Sequence, residues 1–197
     1  MHHVLTAGPG FFPGWLCIAF SLGLSLGIVQ HLRCASAEPQ NRWFYGGHIA
    51  MALSMIYMYL SMSYNWNWLP AAWQMWFFIA TSVAIAVRLT GLALRRSPVG
   101  FGWILLLVQQ GAMAYMWSPM MQWNPTVVTA LVAWFAAEAI CWAGNVFGRI
   151  NTRQPGASTG PVCSDWKSRL SMAIMGFSMS YMFYGMFYGM LHGMPMM

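Results

Sequence analysis

Apolar residues run through this chain in six long blocks separated by short polar links, at roughly Trp15 to Leu32, Trp43 to Tyr64, Ala71 to Leu94, Phe101 to Trp117, Thr126 to Val146 and Ser168 to Leu191. Each block is close to the roughly 20 residues that a helix needs to cross the hydrocarbon core of a bilayer. The pattern predicts an all-α membrane protein with six transmembrane helices, residues 1–197 forming one transmembrane domain with no room for a soluble one. The first 14 residues carry no Lys or Arg, which argues against a cleaved signal peptide.

Proline punctuates the start of every odd block, at Pro13, Pro70 and Pro125. Each suits a first helical turn, where the missing N–H has no helical partner to lose. The even blocks share the pairs Met51-Ala52, Met113-Ala114 and Met172-Ala173. Together these signs read as three repeated helical hairpins, although two-letter matches come easily in a composition this biased. Gly23 and Gly27 form one G-x-x-x-G step in the first block, a pointer to close helix contact.

Only 6% of the residues are charged, against roughly 25% in soluble domains. The nine basic residues are Arg33, Arg42, Arg88, Arg95, Arg96, Arg149, Arg153, Lys167 and Arg169, all in or beside the first, third and fifth links. The positive-inside rule then places those links in the cytoplasm and both termini outside a cell inner (plasma) membrane. The net charge of +6 is a topology signal, and no nucleic-acid partner follows from it. Cys34 and Cys163 fall in cytoplasmic links on this reading, Cys141 in the inner half of block five and Cys17 near the outer end of block one, so no outward pair is expected for a disulfide. Trp66, Trp68, Trp73, Trp76, Trp117 and Trp123 read as an interfacial belt.

Methionine changes the picture further, because its 19 copies outnumber leucine, the usual membrane filler. In block two, His48, Met51, Met55, Met58 and Met62 recur at steps of three and four; at 100° per residue they fall within an arc of about 80°. Block six repeats the stripe as Met172, Met175, Met179, Met182, Met186 and Met190, and block four shortens it to Gln109, Met113, Met116 and Met120. Two readings compete. Methionine is flexible and fills gaps between packed helices, and small residues beside the stripes (Ala52, Ser54, Gly111, Ser171, Gly176, Ser178) suit close packing. Alternatively, neutral thioethers are soft ligands for Cu(I), and a ladder of them carries a monovalent cation without placing carboxylates in lipid. Met62, Met120, Met121, Met186, Met190, Met194, Met196 and Met197, with His192, His2 and His3, would then form an outer capture mouth; the C-terminal run is otherwise a low-complexity apolar tail.

Glu138 is the single carboxylate expected inside the membrane, and such a group is a candidate functional residue because it is costly there. Cys141 and Asn145 share its helical face, and His48, Gln109 and Gln110 lie at similar depth. An inner metal or proton station built from His48, Met51, Glu138 and Cys141 competes with a structural ion pair from Glu138 to Arg88 or Arg169. His31 and His48 flank one link and invite comparison with haem ligands, without further support. No P-loop, no H-E-x-x-H and no activated nucleophile is present, so enzyme motifs are absent.

The run His48-Ile49-Ala50-Met51-Ala52-Leu53-Ser54-Met55 and its echo Ser171-Met172-Ala173-Ile174-Met175 resemble a family of small, Met-rich actinobacterial membrane proteins of unknown function with about six spans. That resemblance implies a bacterial inner membrane and no established activity. The Met-x-x-x-Met steps (Met51 to Met55, Met58 to Met62, Met175 to Met179, Met182 to Met186) look like those of Ctr-type copper transporters, which place methionine rings on a threefold axis. The chain departs from that family in having six spans rather than three and no long Met-rich outer domain. The expectation is binding or transport of Cu(I) through the three stripes. Its alternatives are an accessory subunit whose Met-rich faces pack against a membrane-complex partner, lipid or a second copy, and a membrane-embedded metalloenzyme.

Overall fold

The computed structural model describes residues 13–64, 68–96, 100–119, 123–147 and 166–191, with every side chain except those of Gln40, Met62, Met190 and Leu191. Within them lie six α-helices: α1 (Gly14–Ala37), α2 (Arg42–Tyr64), α3 (Ala71–Leu94), α4 (Phe101–Met116), α5 (Pro125–Ala143) and α6 (Trp166–Leu191). A single 3-10 turn, Pro39–Asn41, joins α1 to α2, and no strand occurs among the described residues. The helices follow the six apolar blocks closely. Pro13 and Pro70 act as N-caps of α1 and α3, and Pro125 occupies the first turn of α5 behind Asn124, whose side chain accepts from the Thr126 N–H at 2.9 Å. α5 stops at Ala143, short of the expected Val146, because Asn145 adopts a left-handed backbone (φ 57°) and its N–H turns back to the Trp142 carbonyl. That is a glycine- or asparagine-type helix stop.

α1, α3, α5 and α6 are long and apolar enough to cross a membrane. α2 is 23 residues long but carries His48, Ser54, Ser61 and several tyrosines, most of them buried, so its polarity serves protein contacts. α4 has 16 residues, a rise of about 24 Å against a hydrocarbon core of about 30 Å. Large apolar side chains of the odd helices, among them Trp15, Leu22, Leu26, Trp73, Val83 and Val87, point outward, as they would toward lipid.

Each odd helix packs along the even helix that follows it, giving three hairpins, while α1 on α6 and α2 on α4 join the hairpins into a bundle. The even helices run parallel: Gln110 of α4 meets Gly47 of α2 and Trp117 meets Ser54 further along, and Tyr59 of α2 meets Ser178 of α6. The bundle thus has a basic end, where the arginines of α1, α2, α3 and α6 gather, and a proline end opposite.

Three glycines set how closely α6 approaches α5 and α1. A Cβ at Gly176 would lie 3.3 Å from the Ala139 nitrogen and the Phe135 carbonyl oxygen of α5, backbone atoms that cannot swing aside. A Cβ at Gly27 would lie 2.6 Å from Ser171 Oγ, and one at Gly23 would meet Ile174, so the G-x-x-x-G step of α1 faces α6. Gly111, by contrast, has open space around it. Gly176→Ala is therefore expected to destabilise the bundle by about 1–3 kcal/mol through overpacking. Gly111→Ala should stabilise it by about 0.5–1 kcal/mol by removing helical backbone entropy. Thermal unfolding of the two variants in detergent should show melting shifts of opposite sign.

Candidate functional site

The stripes converge. Met51, Met55 and Met58 of α2, Met113 and Met116 of α4, and Met172, Met175, Met179, Met182 and Met186 of α6 are all buried, none more than 5% exposed. All but Met172 belong to one continuous core with Phe135, Phe183 and Tyr59. The even helices thus turn their methionine faces inward while the odd helices surround them. Met120 and His192 lie outside the described residues, as do the side chains of Met62 and Met190, so the capture mouth expected there is not described.

At the proline end the core opens into a cavity of about 730 Å³. One methionine from each even helix lines it, Met58, Met116 and Met186, joined by Met75 of α3. Tyr57, Ser61 and Ser118 supply polar atoms, and Pro70 and Pro119 form part of the rim. Just below, Trp117 Nε1 donates to Ser54 Oγ at 3.0 Å, and Ser54 donates to Gln74 Oε1 at 2.6 Å, tying α4, α2 and α3 together. The aromatic belt divides on inspection: Trp68, Trp73 and Trp76 are exposed, whereas Trp123 is buried, stacked on Tyr115 with ring centres 5.5 Å apart. Trp66 lies outside the described residues.

Toward the basic end a polar layer crosses the bundle. Glu138 of α5 accepts a hydrogen bond of 2.6 Å from Gln109 Nε2 of α4, and a longer one of 3.4 Å from Trp142 Nε1. Its other oxygen, Oε2, has no partner among the described residues. Gln110, the next residue on α4, donates to the Gly47 carbonyl of α2 and accepts from Thr81 of α3. His48 follows Gly47, and its ring lies 5.2 Å from that of His31 on α1. His31 Nε2 in turn lies 3.4 Å from Ser171 Oγ of α6. Glu138, Trp142, Gln109, Gln110, Thr81, His48, His31 and Ser171, drawn from all six helices, therefore make up this layer.

This arrangement revises several expectations. No ion pair joins Glu138 to Arg88 or Arg169 among the described residues. Arg88 instead lies over the Trp103 ring, 4.1 Å from its centre, where the ring face attracts the cation. Arg169 keeps a buried Nε without a partner. Asn145 does not share the face of Glu138, because it ends α5 with a left-handed backbone. Cys141 is a half-buried free thiol and makes no described contact with His48. Cys34 is disulfide-bonded, against the expectation of free thiols at that end, while Cys17 is free. Packing of α1 on α6 explains why spacing did not reveal this. It brings the last turn of α1 beside the start of α6, which follows the link holding the remaining cysteine. The ring centres of His31 and His48 lie 5.2 Å apart, too close to flank a porphyrin.

His31, set aside on spacing alone, is buried beside His48 and Ser171. Its signal was present: Cys17, Phe20, Leu24, Gly27, His31 and Cys34 recur at alternating steps of three and four, and all are buried on α1. Among the described residues no three His, Cys, Asp or Glu side chains gather into a metal-binding group. Any metal held in the described bundle would thus draw on thioethers or on fewer such groups.

No curated protein and no solved structure matches the chain. Residues 46–186, from just before His48 to Met186 of the cavity, match the family described as Domain of unknown function (DUF5134), and the chain belongs to that family.

Proposed function

We propose that this protein spans a cell inner (plasma) membrane six times with both termini outside, and that it binds or conducts Cu(I) along the methionine faces of α2, α4 and α6. The observation that carries the reading is the cavity at the proline end, to which each even helix contributes one methionine, Met58, Met116 and Met186. Three neutral sulfurs suit Cu(I), which prefers thioether and thiolate to oxygen donors. A further ladder of buried methionines continues from the cavity toward the polar layer. Because thioethers are neutral, the path adds no buried anion to the hydrocarbon region. Each odd helix pairs with the even helix that follows it, while the hairpins themselves join unequally, through α1 on α6 and α2 on α4. The orientation rests on the nine basic residues, all in or beside the first, third and fifth links of the sequence; the disulfide at Cys34 weighs the other way, since disulfides persist in oxidising compartments.

A second reading has its own observation. Stripe methionines that are almost wholly buried are what plain packing also demands, and an accessory subunit without metal would show the same burial. Metal content separates the two. The protein, purified after exposure to Cu(I) or Ag(I), is expected to retain metal in the wild type and to lose most of it when Met51, Met55, Met175 and Met179 are replaced by leucine. Equal metal in both, or none in the wild type, rejects the ladder.

A further inference from the structure

We infer that His31 and His48 form a second Cu(I) site, a two-imidazole station at the basic end of the methionine core. The inference deepens the copper reading and rests on it, but it concerns a different donor set and a different end of the bundle. Both rings are buried, His31 to 1% exposure and His48 to 0%, and their centres lie 5.2 Å apart. Each ring has one nitrogen engaged and one free. His48 Nδ1 sits 3.0 Å from the Phe44 carbonyl oxygen, which only accepts, so Nδ1 carries the proton and Nε2 keeps its lone pair. His48 Nε2 has no partner among the described residues, and neither has His31 Nδ1.

A buried polar atom without a partner is costly, by about 1–3 kcal/mol, and two on neighbouring rings need a common explanation. Metal-binding imidazoles characteristically donate their second N–H to a backbone carbonyl or another oxygen, which fixes the ring and its tautomer. Phe44 does this for His48, and Ser171 Oγ, 3.4 Å from His31 Nε2, is placed to do it for His31. Neutral imidazole suits copper, and two of them with one ion form a complete site of low coordination number. Cys34, one turn beyond His31, is held in its disulfide and supplies no thiolate. Met51, one turn beyond His48 on the same buried face, connects the station to the ladder. A nitrogen site at the end of a sulfur path gives the ion a chemically different resting place from those it leaves.

X-ray absorption at the copper edge distinguishes the two donor types. The full-length protein, loaded anaerobically with Cu(I) and freed of excess, is expected to show both nitrogen and sulfur neighbours. His31→Gln and His48→Gln, which keep a polar group in place, should each lose the nitrogen shell and retain the sulfur one. Sulfur alone in the wild type overturns the imidazole station and leaves the methionine ladder standing. Nitrogen alone in the wild type, lost in both His variants, supports the station and rejects the ladder. Nitrogen that survives both substitutions assigns it to His2, His3 or His192, the other histidines of the chain, and overturns the station. No bound copper at all rejects both proposals. Where His31→Gln or His48→Gln fails to fold, a chain with His2, His3 and His192 replaced by Gln decides instead: a nitrogen shell kept in it supports the station, and one lost in it overturns the station.

Discussion

Replacing Met58, Met116 and Met186 together by leucine is expected to weaken Cu(I) binding at the mouth by about tenfold or more, roughly 1.4 kcal/mol per decade, while leaving the fold intact. The three residues line one cavity, each from a different even helix, so the triple variant removes every even-helix sulfur from the mouth at once. Leucine conserves volume, and each exchange costs less than about 1.5 kcal/mol of packing. All three residues are buried, so their loss is also a fair test of packing. A purely structural role predicts a modest fall in melting temperature and nothing else. The copper reading predicts a right-shifted Cu(I) titration against a chromophoric chelator, with the melting temperature changed by only a few degrees. An unshifted titration would exclude the mouth as a binding site. Met75 of α3 also lines the cavity, so the residual affinity of the triple variant reports what that fourth sulfur contributes.

The helices were legible because their boundaries follow from local chemistry. Long apolar blocks set the lengths, Pro13, Pro70 and Pro125 set the starts, and the inward burial of the methionine faces follows from steps of three and four. The departures are equally local in cause: α5 ends early at a left-handed Asn145, and α1 runs on to Ala37 until Pro39 stops it. Partners across helices were not legible. The cost of a buried acid marks Glu138 as needing a partner, and an arginine was the natural expectation. Only the packing of α4 near α5 reveals that Gln109 meets it, and that Arg88 has an indole to rest on instead. The same holds for His31, whose neighbours His48 and Ser171 come from helices far along the chain. Spacing defines which residues share a face; it does not say which faces meet. The cavity at the proline end belongs to this second class too, since its lining is drawn from four helices.

The pair formed by Gln109 and Glu138 should behave as a unit whose halves are worse than its absence. Gln109→Leu leaves the Glu138 carboxyl buried without the 2.6 Å bond it accepts, when Oε2 already has no described partner. Glu138→Leu strands the Gln109 amide, whose Oε1 is likewise unpartnered. Polar pairs between membrane helices are worth about 0.6 kcal/mol on average and about 1.7 kcal/mol at most, and a carboxyl with few alternatives belongs near the upper figure. Each single substitution is therefore expected to destabilise by about 1–3 kcal/mol, whereas the double Leu variant should recover much of that loss because no orphan remains. Unfolding of all four proteins in mixed micelles closes the cycle, and a coupling energy near zero would show that the bond does not hold α4 to α5. The double variant also decides what the carboxyl is for. If Glu138 serves only to join helices, the stable double variant in sealed vesicles passes Cu(I) as the wild type does. If it is a station on the path, the double variant keeps its fold and its copper at the mouth but loses passage across the membrane.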